Sequence, residues 1–253
     1  MTRGASIIAI QDVELAFGEK IVLSGLSLTI PAGEITCIIG LSGSGKSTTL
    51  RLINGLRMPQ RGRVLVKGAD LCKMSHRELI ELRKSIGFAF QFAALFDSLT
   101  IGDNVAMPLR ENTRMSEPEI QKTVRETLEM VGLADTLQRL PAELSGGMIK
   151  RAGFARAVVT KPEIVLFDEP TSGLDPIVTN VLTGTIKQIN KALGATVVVV
   201  SHDMQSVYQM ADRVALLFEG AIIAEGTVEE MRRSDNPIVQ QFLQGRDQGP
   251  IPL

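Results

Sequence analysis

Gly40-Leu41-Ser42-Gly43-Ser44-Gly45-Lys46-Ser47 is the stretch from which the rest of this chain can be read. A glycine, four residues, then Gly-Lys-Ser is a phosphate-binding pattern when a strand precedes it and a helix follows. Ile35-Thr36-Cys37-Ile38-Ile39 just upstream is a short apolar run suited to a buried parallel strand, and Thr48-Thr49-Leu50-Arg51-Leu52-Ile53 continues with helical spacing. Gly40, Gly43 and Gly45 let the backbone turn tightly, so its N–H groups can face a phosphate without an intervening Cβ. The helix N-terminus adds partial positive charge, Lys46 supplies a full one for the terminal phosphates, and Ser47 offers a hydroxyl to Mg²⁺. Such a loop is a triphosphate site.

Three further elements end apolar strands or open helices. Ile164-Val165-Leu166-Phe167 runs into Asp168-Glu169, placing two carboxylates at the carboxyl end of a buried strand, where open α/β sheets build their sites. Asp168 is positioned to hold Mg²⁺ through water, and Glu169 to polarise an attacking water. Val197–Val200 leads to His202, expected on the same edge of the sheet and within reach of a γ-phosphate. Gln91, after Ile86-Gly87-Phe88-Ala89-Phe90, carries an amide oxygen able to ligate Mg²⁺ and to report nucleotide occupancy. Leu144-Ser145-Gly146-Gly147-Met148 then opens a helix and forms a second anion-binding nest. One triphosphate does not need two nests in one chain; two chains head to tail would supply one each.

The remaining sequence bounds the architecture. With 27 Lys+Arg against 28 Asp+Glu, no field of one sign argues for nucleic acid as a partner. No apolar run approaches a membrane span, and Ile7–Ile10 is stopped by Gln11 and Asp12 too early for a signal peptide, so a soluble, cytoplasmic chain is expected. Cys37 and Cys72 lack metal spacing and read as one core and one surface residue. Val13, Leu15 and Phe17 alternate with polar or small residues, as do Leu26, Leu28 and Ile30, which predicts half-buried strands of an antiparallel layer. Val64-Leu65-Val66 reads as another strand. Ser75 with Glu78 predicts a helix from His76 to Lys84. Ser116 with Glu119 predicts a second, with the stripe Ile120, Val124, Leu128 and Val131 ended by Gly132. Between Phe92 and about Ala155 no strand is expected, which marks an inserted helical lobe. Strands return at Ile164–Phe167, at Thr196–Val200 and in a hairpin about Glu219-Gly220.

In this order the motifs resemble those of the ATP-binding-cassette family across nearly the whole chain. The resemblance implies an α/β fold: a P-loop NTPase (RecA-like) core with an antiparallel β layer and an inserted helical lobe, about 92–155. Residues 1–235 are the expected ATPase domain and 236–253 a C-terminal helix and extended tail. The family's roles carry over as follows. Phe17 stacks on adenine, where tyrosine is commoner. Gly40–Ser47, with Thr48, is the phosphate loop (Walker A), and Gln91 belongs to the Q-loop. Leu144–Gly147 is the signature, contributing Ser145, Gly146 and Gly147 to the nucleotide. Asp168-Glu169 is Walker B with its catalytic base, Asp175 ends the loop crossing the dimer, and His202 is the switch histidine. ATP and Mg²⁺ are implied, with Ser47, Gln91 and Asp168 at the metal and Lys46, Glu169 and His202 in catalysis. Met148 departs from the glutamine that commonly ends the signature; the change weakens communication across the dimer, or a flexible thioether simply packs there.

Leu-Ser-Gly-Gly-Met, Phe-Asp-Glu-Pro and Gln241-Phe242-Leu243-Gln244-Gly245…Gly249-Pro250 further resemble the Mla-type cassettes, which energise phospholipid movement between the two membranes of Gram-negative bacteria. That implies a homodimer held peripherally at the cytoplasmic face of the inner membrane by permease subunits. A periplasmic lipid-binding subunit, a small cytoplasmic accessory subunit and no nucleic acid complete the expectation. A transporter of another small molecule, or a cassette ATPase of DNA repair or translation, is the alternative. Phe92-Ala93-Ala94-Leu95-Phe96 either closes the lobe's own core or lines a groove for a permease helix. At the C-terminus, Pro237–Gln244 predicts a short helix stopped by Gly245. Gly249-Pro250-Ile251-Pro252-Leu253 is then expected to run extended and, with nothing local to bury against, to dock on a neighbouring chain.

Overall fold

Val197, Val198, Val199 and Val200 are consecutive and all completely buried, which only a strand covered on both faces can accommodate. The computed structural model describes residues 6–251. Its first half contains β1 (Ser6–Phe17), β2 (Lys20–Pro31), β3 (Ile35–Ile39), α1 (Lys46–Ile53), β4 (Arg61–Val66), β5 (Ala69–Asp70), α2 (His76–Arg83) and β6 (Ile86–Ala89). The helices α3 (Ile101–Asn112), α4 (Glu117–Met130) and α5 (Gly146–Val158) follow, with no strand between β6 and the next. The chain closes with β7 (Ile164–Asp168), α6 (Pro176–Leu193), β8 (Thr196–Ser201) and α7 (Met204–Met210). After these come β9 (Arg213–Phe218), β10 (Ala221–Gly226), α8 (Val228–Arg232) and α9 (Pro237–Gln244).

The valine-rich strand, β8, lies inside a sheet of order β10-β9-β3-β8-β7-β6, parallel throughout except for β10 at its edge. Alternation along each strand assigns its side chains to two cores. Val165 and Phe167 of β7 and Val197 and Val199 of β8 face the helices. Ile164, Leu166, Val198 and Val200 face α1 and the second sheet. That second sheet, β2-β1-β4-β5, is antiparallel. Its buried positions include Val13, Leu15, Leu26, Leu28 and Ile30, in agreement with their spacing. Phe17 leaves the pattern, being 43% exposed at the end of β1.

Helix boundaries follow local chemistry. Ser75 and Glu78 form a reciprocal capping box at α2, and Ser116 and Glu119 do so at α4, whose stripe Ile120, Val124, Leu128 and Val131 is buried. Glu219 and Gly220 take left-handed conformations, φ 48° and 81°, as a tight β9–β10 turn requires. Cys37 is buried in β3 and Cys72 is exposed.

The end of the chain differs from the expectation. Gly245 does stop α9 in a left-handed conformation, φ 61°, but the residues after it bend back rather than run extended. Ile251 is only 4% exposed. Its N–H donates to Gln241 Oε1 at 2.7 Å, and Gln241 Nε2 donates to the Ile251 carbonyl at 3.3 Å. The buried Gln241 amide thus supplies the local partner that the sequence does not reveal, and Val239 seats α9 on the helical core. Pro252 and Leu253 lie outside the described residues. Ile251→Ala is expected to destabilise the isolated chain by about 2 kcal/mol. Urea unfolding checks this, and an unchanged midpoint would contradict the burial.

Candidate active site

Register places the strand ends level. Ile39 pairs with Ser201, Asp168 with Val200 and Ala89 with Phe167. The loops after β3, β6, β7 and β8 therefore leave the same edge of the sheet, carrying the phosphate loop, Gln91, Asp168-Glu169 and His202.

Within the phosphate loop, a Cβ on Gly40 would lie 2.3 Å from the Leu217 carbonyl oxygen, and one on Gly45 2.8 Å from Leu23 Cδ2. These two glycines are required by close approach. Gly45 opens α1 without a side-chain cap, whereas Ser75, Thr100 and Asp175 cap α2, α3 and α6. The leading N–H groups of α1 thus meet no capping oxygen, and the buried Ser44 hydroxyl lacks a hydrogen-bond partner. Both features suit a bound anion. Lys46 Nζ donates to the Gly40 and Leu41 carbonyls, each at 2.9 Å, which leaves the third ammonium hydrogen for a phosphate. Burial holds the Lys46 ammonium below the ordinary lysine range, while the Glu169 carboxylate, 3.7 Å away, pulls it back.

The carboxylates are joined to this loop directly. Ser47 Oγ donates to Asp168 Oδ1 at 2.6 Å. Asp168 is 5% exposed, and burial raises its carboxyl above the usual range against the opposing hydrogen bond from Ser47. A hydroxyl and a buried carboxylate are hard oxygen donors. No group of three or more His, Cys, Asp or Glu ligands occurs among the described residues. Such a sparse donor set suits a cation that takes its other ligands from phosphates and water. Glu169 has φ 47°, a left-handed conformation of order 1–3 kcal/mol in cost for a residue with a side chain. Its N–H donates to the Val200 carbonyl at 3.0 Å. The carboxylate lies between Lys46 and His202, whose Nδ1 is 2.9 Å from Oε2.

Lys46, Ser47, Asp168, Glu169 and His202 therefore form one connected group with the phosphate loop, whereas Phe17, Ser145, Gly146, Gly147 and Asp175 stand apart from it. Phe17 presents an exposed ring with the Arg57 guanidinium 5.3 Å from its centroid. Ser145 Oγ accepts from Met148 N at 3.4 Å and, with Gly146, is exposed at the start of α5. Among the described residues no hydrogen bond joins Ser145, Gly146 or Gly147 to that group. Asp175 Oδ1 accepts from Ile177 N and Val178 N, at 2.9 and 3.0 Å. Met148 packs against the helical core, as a thioether can. Residues with no sequence signal also matter here. Buried Asn104 accepts from Phe96 N at 2.8 Å and donates to the Phe96, Leu99 and Thr100 carbonyls. Arg156 donates to the Ala93 and Ala94 carbonyls. Their partners are backbone groups, which no side-chain spacing announces.

Residues 23–172 match the family model for the ABC transporter. The chain belongs to the ABC transporter family. Over 246 residues the cassette is 42% identical to the intermembrane phospholipid transport system ATP-binding protein MlaF of Haemophilus influenzae, spanning 97% of this chain and 93% of that one. The probable ribonucleotide transport ATP-binding protein mkl of Mycobacterium leprae is 43% identical over 244 residues, 96% of this chain and 70% of that relative. Among solved structures, the dimeric post-hydrolysis state of the ATP-binding cassette MJ0796 bound to ADP and Pi has a TM-score of 0.79 at 34% identity. It covers 87% of this chain and 98% of its own. CbiO1 from Clostridium perfringens, part of the ABC transporter complex CbiONQ, has a TM-score of 0.83 at 30% identity, with coverages of 90% and 91%. The cassette is thus an ATPase of a membrane transport system.

Two substitutions probe the geometry. Lys46→Ala is expected to abolish productive nucleotide binding, measured by titration with a fluorescent ATP analogue. A Cβ on Gly147 would lie 2.5 Å from Val178 Cγ1. Gly147→Ala should therefore displace the start of α5 and lower turnover, and Val178→Ala should restore it by making room. If the double variant were no better than Gly147→Ala alone, that contact would not be what limits the site.

Proposed function

We propose that two copies of this cassette, head to tail, sandwich two ATP molecules. Each nucleotide would be held by Lys46 and Ser47 of one chain and by Ser145 and Gly147 of the other. The observation that carries this reading is that Ser145 and Gly146 are exposed at the start of α5 and that, among the described residues, Ser145–Gly147 make no hydrogen bond to their own chain's phosphate loop. The dimeric state of the MJ0796 cassette supports it. In this arrangement Phe17 stacks on the adenine. Lys46 and the N–H groups of Gly43 to Thr48, with Leu41, Ser42 and Ser44 shaping the loop, cradle the phosphates. Glu169 accepts a hydrogen bond from the attacking water and aligns it. His202 fixes the Glu169 carboxylate and touches the γ-phosphate, while Asp175 crosses to the partner. Ser47, Asp168 and Gln91 would hold Mg²⁺, which neutralises charge on the β- and γ-phosphates when bound. Positioning and charge stabilisation supply most of the rate in such chemistry.

Coupling to a permease is assigned to the surface beside Gln91. A cleft of about 450 Å³ lies there, lined by Phe88, Phe90, Phe96, Pro108 and Arg156 among others. The apolar segment that follows Gln91 divides between the two readings its sequence allows. Ala93 is 2% exposed and Leu95 packs on the helical core, whereas Phe92 and Phe96 are 84% and 51% exposed. Leu95 is therefore removed from the proposed contact. Phe96, with its backbone pinned by Asn104, stays in it.

The proposed cargo is phospholipid moved between inner and outer membranes to maintain outer-membrane lipid asymmetry. The cassette would be peripheral at the cytoplasmic face of a bacterial inner membrane. A permease, a periplasmic lipid-binding subunit and a small cytoplasmic accessory subunit would complete the complex. Near-complete mutual coverage with MlaF favours this reading. Residues 1–235 would form the ATPase unit, with the helical lobe at about 92–155, and 236–253 its C-terminal addition. No helix among the described residues is long and apolar enough to cross a membrane, so attachment is assigned to the permease. Ribonucleotide transport is the second reading, because the mkl relatives are equally identical.

Glu169→Gln is expected to retain ATP, trap a closed dimer in gel filtration and lose on the order of a hundredfold in turnover. Near-wild-type hydrolysis would remove Glu169 from its role. Phe96→Glu should leave the isolated cassette folded and ATP-competent but fail to support transport. Full transport by that variant would move the permease contact elsewhere. Lipid analysis of the purified membrane complex decides the cargo: co-purifying phospholipid supports the first reading, and ribonucleotide-stimulated ATPase activity without lipid supports the second.

A further inference from the structure

The left-handed region holds few residues that carry a Cβ, and three of them lie in the turns that serve this site. Glu169 has φ 47°, while Ala93 and Ala94, just after Gln91, have φ 59° and 50°. Conformations of this kind persist only where neighbouring structure over-determines them. Both turns are gripped by cations from one helix, α5. Arg156 donates to the Ala93 and Ala94 carbonyls, each at 2.6 Å. Lys150 Nζ donates to the Ser172 carbonyl at 2.9 Å and to the Glu169 carbonyl at 3.4 Å.

The Lys150 grip is specific in form. Glu169-Pro170-Thr171-Ser172 closes on itself through Ser172 N–H donating to the Glu169 carbonyl at 3.3 Å. Lys150 joins the first and last carbonyls of that turn from outside it. A partly buried ammonium fixed to two carbonyls constrains the peptide planes on both sides of the turn, and with them the direction in which the Glu169 side chain leaves the backbone. α5 is a stiff connection. It carries Ser145–Gly147 at its N-terminus, about one helical turn before Lys150. A Cβ on Gly146 would lie 3.7 Å from Leu174, so the start of the helix also rests on the loop that continues from Ser172.

We infer that Lys150 is a positioning residue for hydrolysis: by clamping the Glu169–Ser172 turn to α5, it transmits the seating of Ser145–Gly147 on one nucleotide to the carboxylate that acts on the other. This rests on the proposed head-to-tail dimer and on Glu169 as the water-aligning group. Lys150 Nζ donates to the Glu169 and Ser172 carbonyls rather than to the phosphate loop. Its removal therefore changes the rate of the chemical step and leaves ATP affinity alone.

The test compares Lys150→Arg, Lys150→Gln and Lys150→Met in the full-length cassette, with ATP binding, steady-state hydrolysis and thermal unfolding measured on each. Methionine keeps the length of the stem and gives no hydrogen bond, glutamine gives a neutral donor, and arginine gives a charged one. kcat should fall in the order Arg, Gln, Met, reaching a loss of about tenfold to a hundredfold for Met, while KM and the Kd of ATP stay within about twofold of wild type. In the Glu169→Gln background, Lys150→Met should remove no further activity, since the two act as one unit. Three outcomes would overturn the inference. They are kcat near wild type for Lys150→Met, a loss that tracks thermal instability without the Arg-Gln-Met order, and a further loss in the Glu169→Gln background. Should Glu169→Gln itself hydrolyse ATP normally, the reading of the active site fails instead, whatever the Lys150 variants do.

Discussion

Burial of the parallel sheet on both faces is the constraint from which the rest of the cassette follows. Val197 to Val200 have no solvent face on which to carry a functional group, and neither do Ile164 to Phe167. Chemistry can appear only where the strands stop, and in a parallel sheet they all stop at one edge. Pairing then decides which loops meet. β3 lies beside β8, and β8 beside β7, so the phosphate loop, His202 and Asp168-Glu169 converge although up to 162 residues separate them in the chain (Gly40 to His202).

At that edge the groups are mutually dependent. Lys46 is buried, and its ammonium is tolerable because two carbonyls and a carboxylate compensate it. Asp168 is buried with its carboxyl pushed upward, so it gains from any cation that comes near. Glu169 is held in an unfavourable backbone conformation between Lys46 and His202. Opposed charges and backbone strain of this kind cost stability in the chain alone, and their clustering marks a functional site.

The helical lobe serves the same edge from the other side. α5 sends Lys150 to the turn after β7, Arg156 to the turn after β6, and Arg151 to the Val131 and Gly132 carbonyls that end α4. A single helix thus connects the Ser145–Gly147 turn, the Glu169–Ser172 turn and the loop beside the Phe96 cleft. That gives a physical route from the loop after β6 to the turn that carries Glu169. The route consists of hydrogen bonds to backbone carbonyls rather than of side-chain pairs.

The sequence by itself determined the phosphate loop, the two carboxylates, the histidine, the signature turn and the order of strands and helices. Each is local, because glycine conformations, capping boxes and apolar runs depend on residues a few positions apart. Gly40–Ser47, the Ser75–Glu78 box and the apolar run into Asp168 are legible for that reason. Only the tertiary structure decided that Leu95 packs inward while Phe96 stays outside. The same holds for Ile251, which finds Gln241 within its own chain, and for Lys150 and Arg156, which clamp left-handed turns. These outcomes depend on contacts across tens of residues, often between a side chain and a backbone carbonyl. Carbonyls are present at every position, so no pattern of residue types marks which of them is bound.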